Sequence, residues 1–354
     1  MPIFDQGYQH WRGELAGHLW RWWAITRRGL RAQLKNRWVI AAVLFAWVPA
    51  LALAALLAVW GLFEQKSAVL TPFLGMFREA LPGEMFSDPH YFRSTVWTIA
   101  FDTFFRFEIF FSMILVLLVG PDLISQDLRF NAMPLYFSKP VRRFDYFLGK
   151  LGIITVFLLA VTAFPAASAW LLGVCFSLDF GVFQDTMRLC LASLIFSGVI
   201  AVSAGTLMLS ISSLSRNSRY VGAMWVGLWV VSNVMAAALD ETLERDWCPV
   251  VSYTHNLARV GNSLLGTHSA WQQIEKLLNT VRQPRRGGPF APPGRPAPAV
   301  AEPAPSTARE RRRDRNSPFA EPHPWTWSAG TLAGLFVLST AILTQRVKNL
   351  DELK

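Results

Sequence analysis

The chain has 354 residues, of which 52% are hydrophobic and only 16% charged, whereas a soluble domain carries about a quarter charged residues. Its apolar residues, with 26 Phe and 15 Trp among them, gather in blocks longer than the roughly 18 residues that mark a membrane span, which excludes an ordinary soluble globular protein. The net charge of +10 does not call for nucleic acid, because Lys and Arg collect on the cytoplasmic side of membrane proteins and set their orientation; the bilayer is the expected partner and no nucleic acid is.

The first 37 residues predict an amphipathic arm. Trp11, Leu15, Leu19, Trp22, Trp23, Leu30 and Leu34 share its apolar side, and Arg12, Arg21, Arg27, Arg28, Arg31 and Lys35 fill the others. Such a helix lies in the membrane interface with its cations toward anionic headgroups. The first apolar block, 38–63, is too long for a signal-peptide core and reads as span one. Residues 64–95 read as a loop. Span two, 96–119, holds Asp102, Arg106 and Glu108. Asp102 and Arg106 are spaced to pair on one helix face. Intramembrane charges are costly and often functional, but the preferred reading puts these three near the outer interface or facing a wet cavity.

After a polar segment, 120–150, come span three (151–178, with a kink expected at Pro165) and a short acidic turn with Asp179 and Asp185. Span four, 189–211, carries Ser193, Ser197, Ala201 and Gly205 at every fourth position, a face on which another helix can pack closely, in this chain or in a second subunit. A basic turn, 212–219, leads to span five, 220–239. Of the following 240–324, residues 240–281 read as partly ordered, with a helix near Ala270–Val281. Residues 282–324 hold 11 of the 21 prolines and the run Arg311, Arg312, Arg313, a composition that predicts a disordered tether. Span six and a basic tail occupy 325–354, with a second small-residue pair at Gly330 and Gly334. Cys175, Cys190 and Cys248 fit no metal-ligand spacing and read as inert; a Cys175–Cys190 disulfide is the minor alternative.

Lys and Arg number seven in the arm, five in 121–150, two in 212–219 and three in the tail, against three in 64–103 and none in 179–186. With six spans this puts both termini, 121–150 and 212–219 in the cytoplasm, and the long loop 240–324 outside. A re-entrant segment near 250–270 would alter that topology.

The segment Gly120–Lys150 is the most informative. Gly120-Pro121 ends or bends span two, Ile124–Arg129 can form a short charged helix, Asn131–Pro140 is turn-rich, and Arg142, Arg143 and Lys150 anchor the next span. A short helix held between two spans suits docking of a cytoplasmic protein; the bland alternative is a solvated loop. The segment resembles the membrane subunits of type-2 ATP-binding-cassette (ABC) transporters, the exporter-type permeases. The resemblance rests on Gly120, Leu123, Ile124, Ser125, Asp127, Leu128, Arg129, Ala132, Leu135, Tyr136, Ser138, Lys139, Pro140, Arg143, Tyr146, Gly149 and Lys150. It implies an all-α integral membrane protein of about six transmembrane helices, with an N-terminal interfacial helix and a cytoplasmic coupling helix in 120–150. It also implies a separate cytoplasmic ABC ATPase subunit that binds the ATP and Mg, and a dimer with a second copy or a homologous permease. The expected coupling residues are Leu123, Ile124, Ser125, Asp127, Leu128, Arg129, Leu135, Tyr136, Ser138, Pro140 and Arg143, with Asp127 and Arg129 as polar contacts and Leu128 and Tyr136 as apolar ones. The Pro/Arg-rich stretch 282–324 departs from the family pattern.

No phosphate-binding G-x-x-x-x-G-K-[ST] occurs, since Leu151 follows Lys150 and Phe144 stands where the first Gly is needed. No H-E-x-x-H or G-x-S-x-G occurs either, so no cofactor or catalytic role is expected of the chain itself. The sequence reading is therefore a bacterial plasma-membrane transport subunit, probing which needs its ATPase. The rival reading is a membrane scaffold or sensor recruiting partners through its basic arm and Pro/Arg-rich loop. An ATP-independent channel or carrier would need more polar residues along the spans than Asn233 and the Asp102, Arg106 and Glu108 group.

Overall fold

A computed structural model describes residues 20–67, 88–132, 142–177, 179–243, 245–282 and 323–351. Among them all regular structure is helical, and six helical stretches are long and apolar enough to cross a membrane. The chain is an all-α, multi-pass membrane protein, as its composition requires. The Pro/Arg-rich stretch 283–322 lies outside the described residues.

Helix α1 (Arg21–Gln33) precedes the first spanning helix, α2 (Arg37–Glu64). The break between them is set by Asn36, whose side chain accepts from the Trp38 N–H and caps α2. The second spanning helix, α3 (Pro89–Val119), is capped by Asp88 and has proline in its first turn. Its 31 residues would extend about 46 Å, beyond the roughly 30 Å hydrocarbon core. It therefore starts at Pro89 rather than at Val96, where the apolar run begins. The short helix α4 (Asp122–Arg129) follows immediately.

The third span is two helices, α5 (Arg143–Val161) and α6 (Ala163–Ser177), broken at Thr162. Pro165, the third residue of α6, has no N–H to donate to the Val161 carbonyl four residues earlier, so the expected kink falls there. Span four is α7 (Phe180–Leu214), started by Asp179, whose carboxylate accepts from the Gly181 N–H. Polar caps thus begin α5 and α7 eight or nine residues before the apolar blocks at Leu151 and Leu189. Span five is α8 (Ser218–Val226), a π turn (Gly227–Val231) and α9 (Ser232–Leu243); span six is α12 (Trp325–Asp351).

Between α9 and α12 the chain makes a 3-10 turn (Cys248–Val251) and two helices, α10 (Tyr253–Leu265) and α11 (Thr267–Arg282). The helix expected near Ala270–Val281 is α11. Helix α10 falls within the 250–270 stretch singled out from sequence as a candidate re-entrant segment, and it is packed into the bundle against α3, α7 and α12. Ser252 caps its start, accepting from the His255 N–H at 3.1 Å, and Gly266 ends it in the left-handed conformation at φ +74°. Gly261 lets it approach α7: a Cβ there would lie 2.4 Å from the Phe196 ring.

The small-residue face of α7 packs within the chain. Ser193, Ser197 and Ala201 are buried, the two hydroxyls fold back on carbonyls four residues earlier, and a Cβ on Gly205 would meet Leu151 of α5 at 2.7 Å. Gly330 and Gly334 of α12 have nothing within 4 Å of a notional Cβ. All three cysteines are free thiols, Cys175 exposed and Cys190 and Cys248 buried, so the Cys175–Cys190 disulfide is not present.

Candidate functional site

The site grows from the short helix α4. An isolated eight-residue helix is unstable in water, and its first N–H groups need partners. The Leu123 N–H donates to the Gly120 carbonyl. The next two N–H groups, of Ile124 and Ser125, both donate to the hydroxyl of Ser212, at 3.2 and 3.1 Å. Ser212 is fully buried near the end of α7 and donates in turn to the Pro121 carbonyl at 2.9 Å. The Ser125 hydroxyl also bonds the Pro121 carbonyl and lies 2.9 Å from the Ser218 hydroxyl, at the start of α8. The cap of α4 therefore comes from another span, 87 or 88 residues away.

A second joint fixes the other side of α4. Lys150 Nζ sits 2.7 Å from Asp127 Oδ2, and the Tyr146 hydroxyl donates to the same oxygen at 2.6 Å. Lys150 Nζ also lies 5.5 Å from the centre of the Tyr146 ring, within cation–π range. Tyr146 and Lys150 are buried and Asp127 half-buried. Both partners are on α5, so Asp127 ties α4 to span three. Beside Lys150, Gly149 has its own reason. A Cβ there would be 2.8 Å from Ile25 of α1 and 2.9 Å from the Trp22 carbonyl, and the Gly149 carbonyl accepts from the buried Thr26 hydroxyl at 2.9 Å. Gly120, before α4, is equally constrained, with Met208 of α7 at 2.3 Å from a notional Cβ. Helix α4 ends at Asn131, at φ 50°, a left-handed conformation that asparagine tolerates.

The sequence-predicted coupling residues fall into three groups. Leu123, Ile124 and Ser125 are buried and hold α4 to the spans. Asp127 and Leu128 are half-buried, Asp127 engaged by Lys150 and Tyr146 and Leu128 packed on the core. Arg129 is exposed, as are Gln126 and Phe130. Phe130 is 72% exposed, with the Arg129 guanidinium 5.6 Å from its ring centre. Leu135, Tyr136, Ser138 and Pro140 lie outside the described residues, and Arg143 opens α5. Sequence reading missed Ser212, Ser218, Lys150 and Tyr146 as supports of α4. The last two stood in the recognised segment; the serines carried no signal, being read only as part of the basic turn 212–219.

The charged group of α3 is split. Asp102 is buried, bound by Arg106 Nε at 3.0 Å and by the Asn262 amide of α10 at 2.9 Å, with that amide turned so that nitrogen donates. Arg106 faces outward with 54% of its side chain exposed. Glu108 is fully buried, so among the described residues it does not face a wet cavity.

A further ionic cluster lies where α2, α3 and α7 meet, at the end away from α4. Arg93 is 4% exposed. It makes a bidentate pair with the buried Glu64 at 2.9–3.1 Å, and reaches Asp179 at 2.9 Å and Asp185 at 3.1 Å. Trp60 Nε1 donates to Glu64 at 2.7 Å. The Gly181 N–H and the Arg93 guanidinium together hold the Asp179 carboxyl below its ordinary pKa. Asp179 and Asp185, read from sequence as a mere acidic turn, are thus fastened to span two.

No protein-family model matches the sequence, and no curated protein does.

Proposed function

We propose that the chain is the membrane subunit of an ATP-driven ABC transporter of exporter type, with α4 as its coupling helix. The observation that carries this reading is the mounting of α4. It is joined to α3 through Gly120-Pro121, to α7 and α8 through Ser212 and Ser218, and to α5 through Asp127, yet it leaves Gln126, Arg129 and Phe130 exposed. A helix fastened to four spans with one open face converts a push on that face into movement of the bundle, a rigid-body two-state coupling.

On this reading α4, both termini and the turn before α8 are cytoplasmic in a bacterial plasma membrane, and α1 lies at the headgroups. Trp20 and Trp23 are exposed on α1 beside Arg27, Arg28 and Arg31, as an interfacial helix requires. A separate ATPase subunit binds ATP and Mg, and two copies, or this chain with a similar one, enclose the path. The chain itself contributes no catalytic group. Sequence resemblance in Gly120–Lys150 supports the family; the mounting of α4 supports the mechanism.

The test is a pull-down of the tagged full chain in mild detergent, scored for a co-purifying ATPase, with Arg129→Glu and Phe130→Ala. These replace Asp127→Arg as the probe of docking, because Asp127 also holds the joint with Lys150. An ATPase that binds the wild type and is lost from either variant supports the reading. Absence of any ATPase from well-folded wild type would favour the scaffold or sensor alternative.

A further inference from the structure

Glu108 lies on α3 eleven residues before Val119, about 16 Å along the helix by its 1.5 Å rise. That is roughly half the hydrocarbon thickness. Its side chain is fully buried and both carboxyl oxygens lack a hydrogen-bond partner among the described residues. One turn on, Ser112 is fully buried and its hydroxyl is likewise without a partner. The same stripe of α3 otherwise presents Phe101, Phe104, Phe105 and Leu115, all buried, and Phe105 packs edge-on against Phe196 of α7.

Among the described residues no compensating charge meets Glu108. Among the helices packed on α3, α2 has no charged residue between Arg37 and Glu64, and α7 none between Arg188 and Leu214. On α5, Lys150 is held by Asp127, and on α8 Arg219 lies at the α4 end. On α10, Arg259 donates to the His323 carbonyl, and His255 makes no bond to Glu108. On α11, His268, Glu275 and Lys276 lie beyond α10 in the chain and make none either. On α3 itself, Arg106 is taken by Asp102.

An ionised carboxylate so placed would lose its hydration with nothing in exchange, a cost that neutralisation avoids. Intramembrane carboxyls of this kind mark proton or ion pathways. We propose that Glu108 is an intramembrane proton-binding site, with the proton resident on its carboxyl in this conformation. Residence of the proton follows from burial alone, whether or not α4 docks an ATPase.

The test is infrared spectroscopy of the full chain in lipid nanodiscs at neutral pH. The protonated-acid carbonyl band of wild type is compared with that of Glu108→Gln, which mimics the neutral acid in shape, and of Asp102→Asn. The expected result is a deuterium-sensitive acid carbonyl band that is lost in Glu108→Gln and kept in Asp102→Asn. If Glu108→Gln does not fold, Glu108→Met, of similar volume and without polar atoms, takes its place. A wild-type spectrum with no acid carbonyl band, or a band that survives removal of Glu108, overturns the proposal.

Discussion

Ser212→Ala isolates the support of α4. The hydroxyl it removes is the shared acceptor for the N–H groups of Ile124 and Ser125, while the other α4 contacts, including Asp127 with Lys150, are left in place. Loss of a helix cap costs about 0.5–2 kcal/mol, and leaving buried donors unpaired costs about 1–3 kcal/mol. A net loss of about 1–2 kcal/mol is a factor of roughly 5–30 in the closed-to-open ratio of the helix. Helix α4 is too short to hold itself, so the loss appears locally. Hydrogen exchange of the nanodisc-embedded chain, read by mass spectrometry over peptides covering 120–132, should show that increase at Ile124 and Ser125. Ser210→Ala serves as control, since that hydroxyl donates to Leu207 of its own helix, and should leave those amides protected. Unchanged protection in Ser212→Ala would refute the claim that α7 caps α4.

Removing Arg93 strands the buried Glu64, so Arg93→Ala should cost about 3–5 kcal/mol and lower the thermal unfolding midpoint clearly; an unchanged midpoint would show the pair to be solvated. At Gly61 a Cβ would come within 3.0 Å of the Phe176 and Ser177 backbone, which cannot swing aside. Gly61→Ala should therefore cost about 1–3 kcal/mol by overpacking, whereas Gly330→Ala, in open space, should not destabilise in the same melting assay. The depressed pKa of Asp179 sets a sign for acid dependence. Its contribution is present above the unfolded carboxyl value of about 4 and is lost as pH falls through the lower folded value. The unfolding midpoint should fall with acidification in that window, less steeply in Asp179→Asn; equal slopes would contradict the hold of the Gly181 N–H and Arg93 on that carboxylate.

The spans were legible because hydropathy in a membrane chain is a one-dimensional signal: long apolar runs marked all six. Their ends were less so, because Asp88, Asp145 and Asp179 begin helices in polar sequence that an apolar run does not register. Helix α10 was legible only as a re-entrant candidate in 250–270. Its 13 residues are too few for a span, and it buries Asn256 and Arg259 beside its apolar residues, so no long apolar run announces it. In the coupling segment, residue types were readable but their roles were not. Asp127 and Arg129 looked alike as charged residues on a short helix. Only packing separates them, since Asp127 meets Lys150 and Tyr146 while Arg129 meets solvent beside Phe130. The long-range cap by Ser212 has no sequence signature, because the two partners lie 87 or 88 residues apart.

The most direct test of the coupling reading is affinity capture of the full chain with Arg129→Glu and, separately, Ser210→Ala as a control for handling. The coupling reading predicts that an ABC ATPase co-purifies with wild type and with Ser210→Ala and is lost from Arg129→Glu, while hydrogen exchange at Ile124 and Ser125 stays protected in all three. An ATPase retained undiminished by Arg129→Glu and Phe130→Ala together would contradict docking on the exposed face of α4.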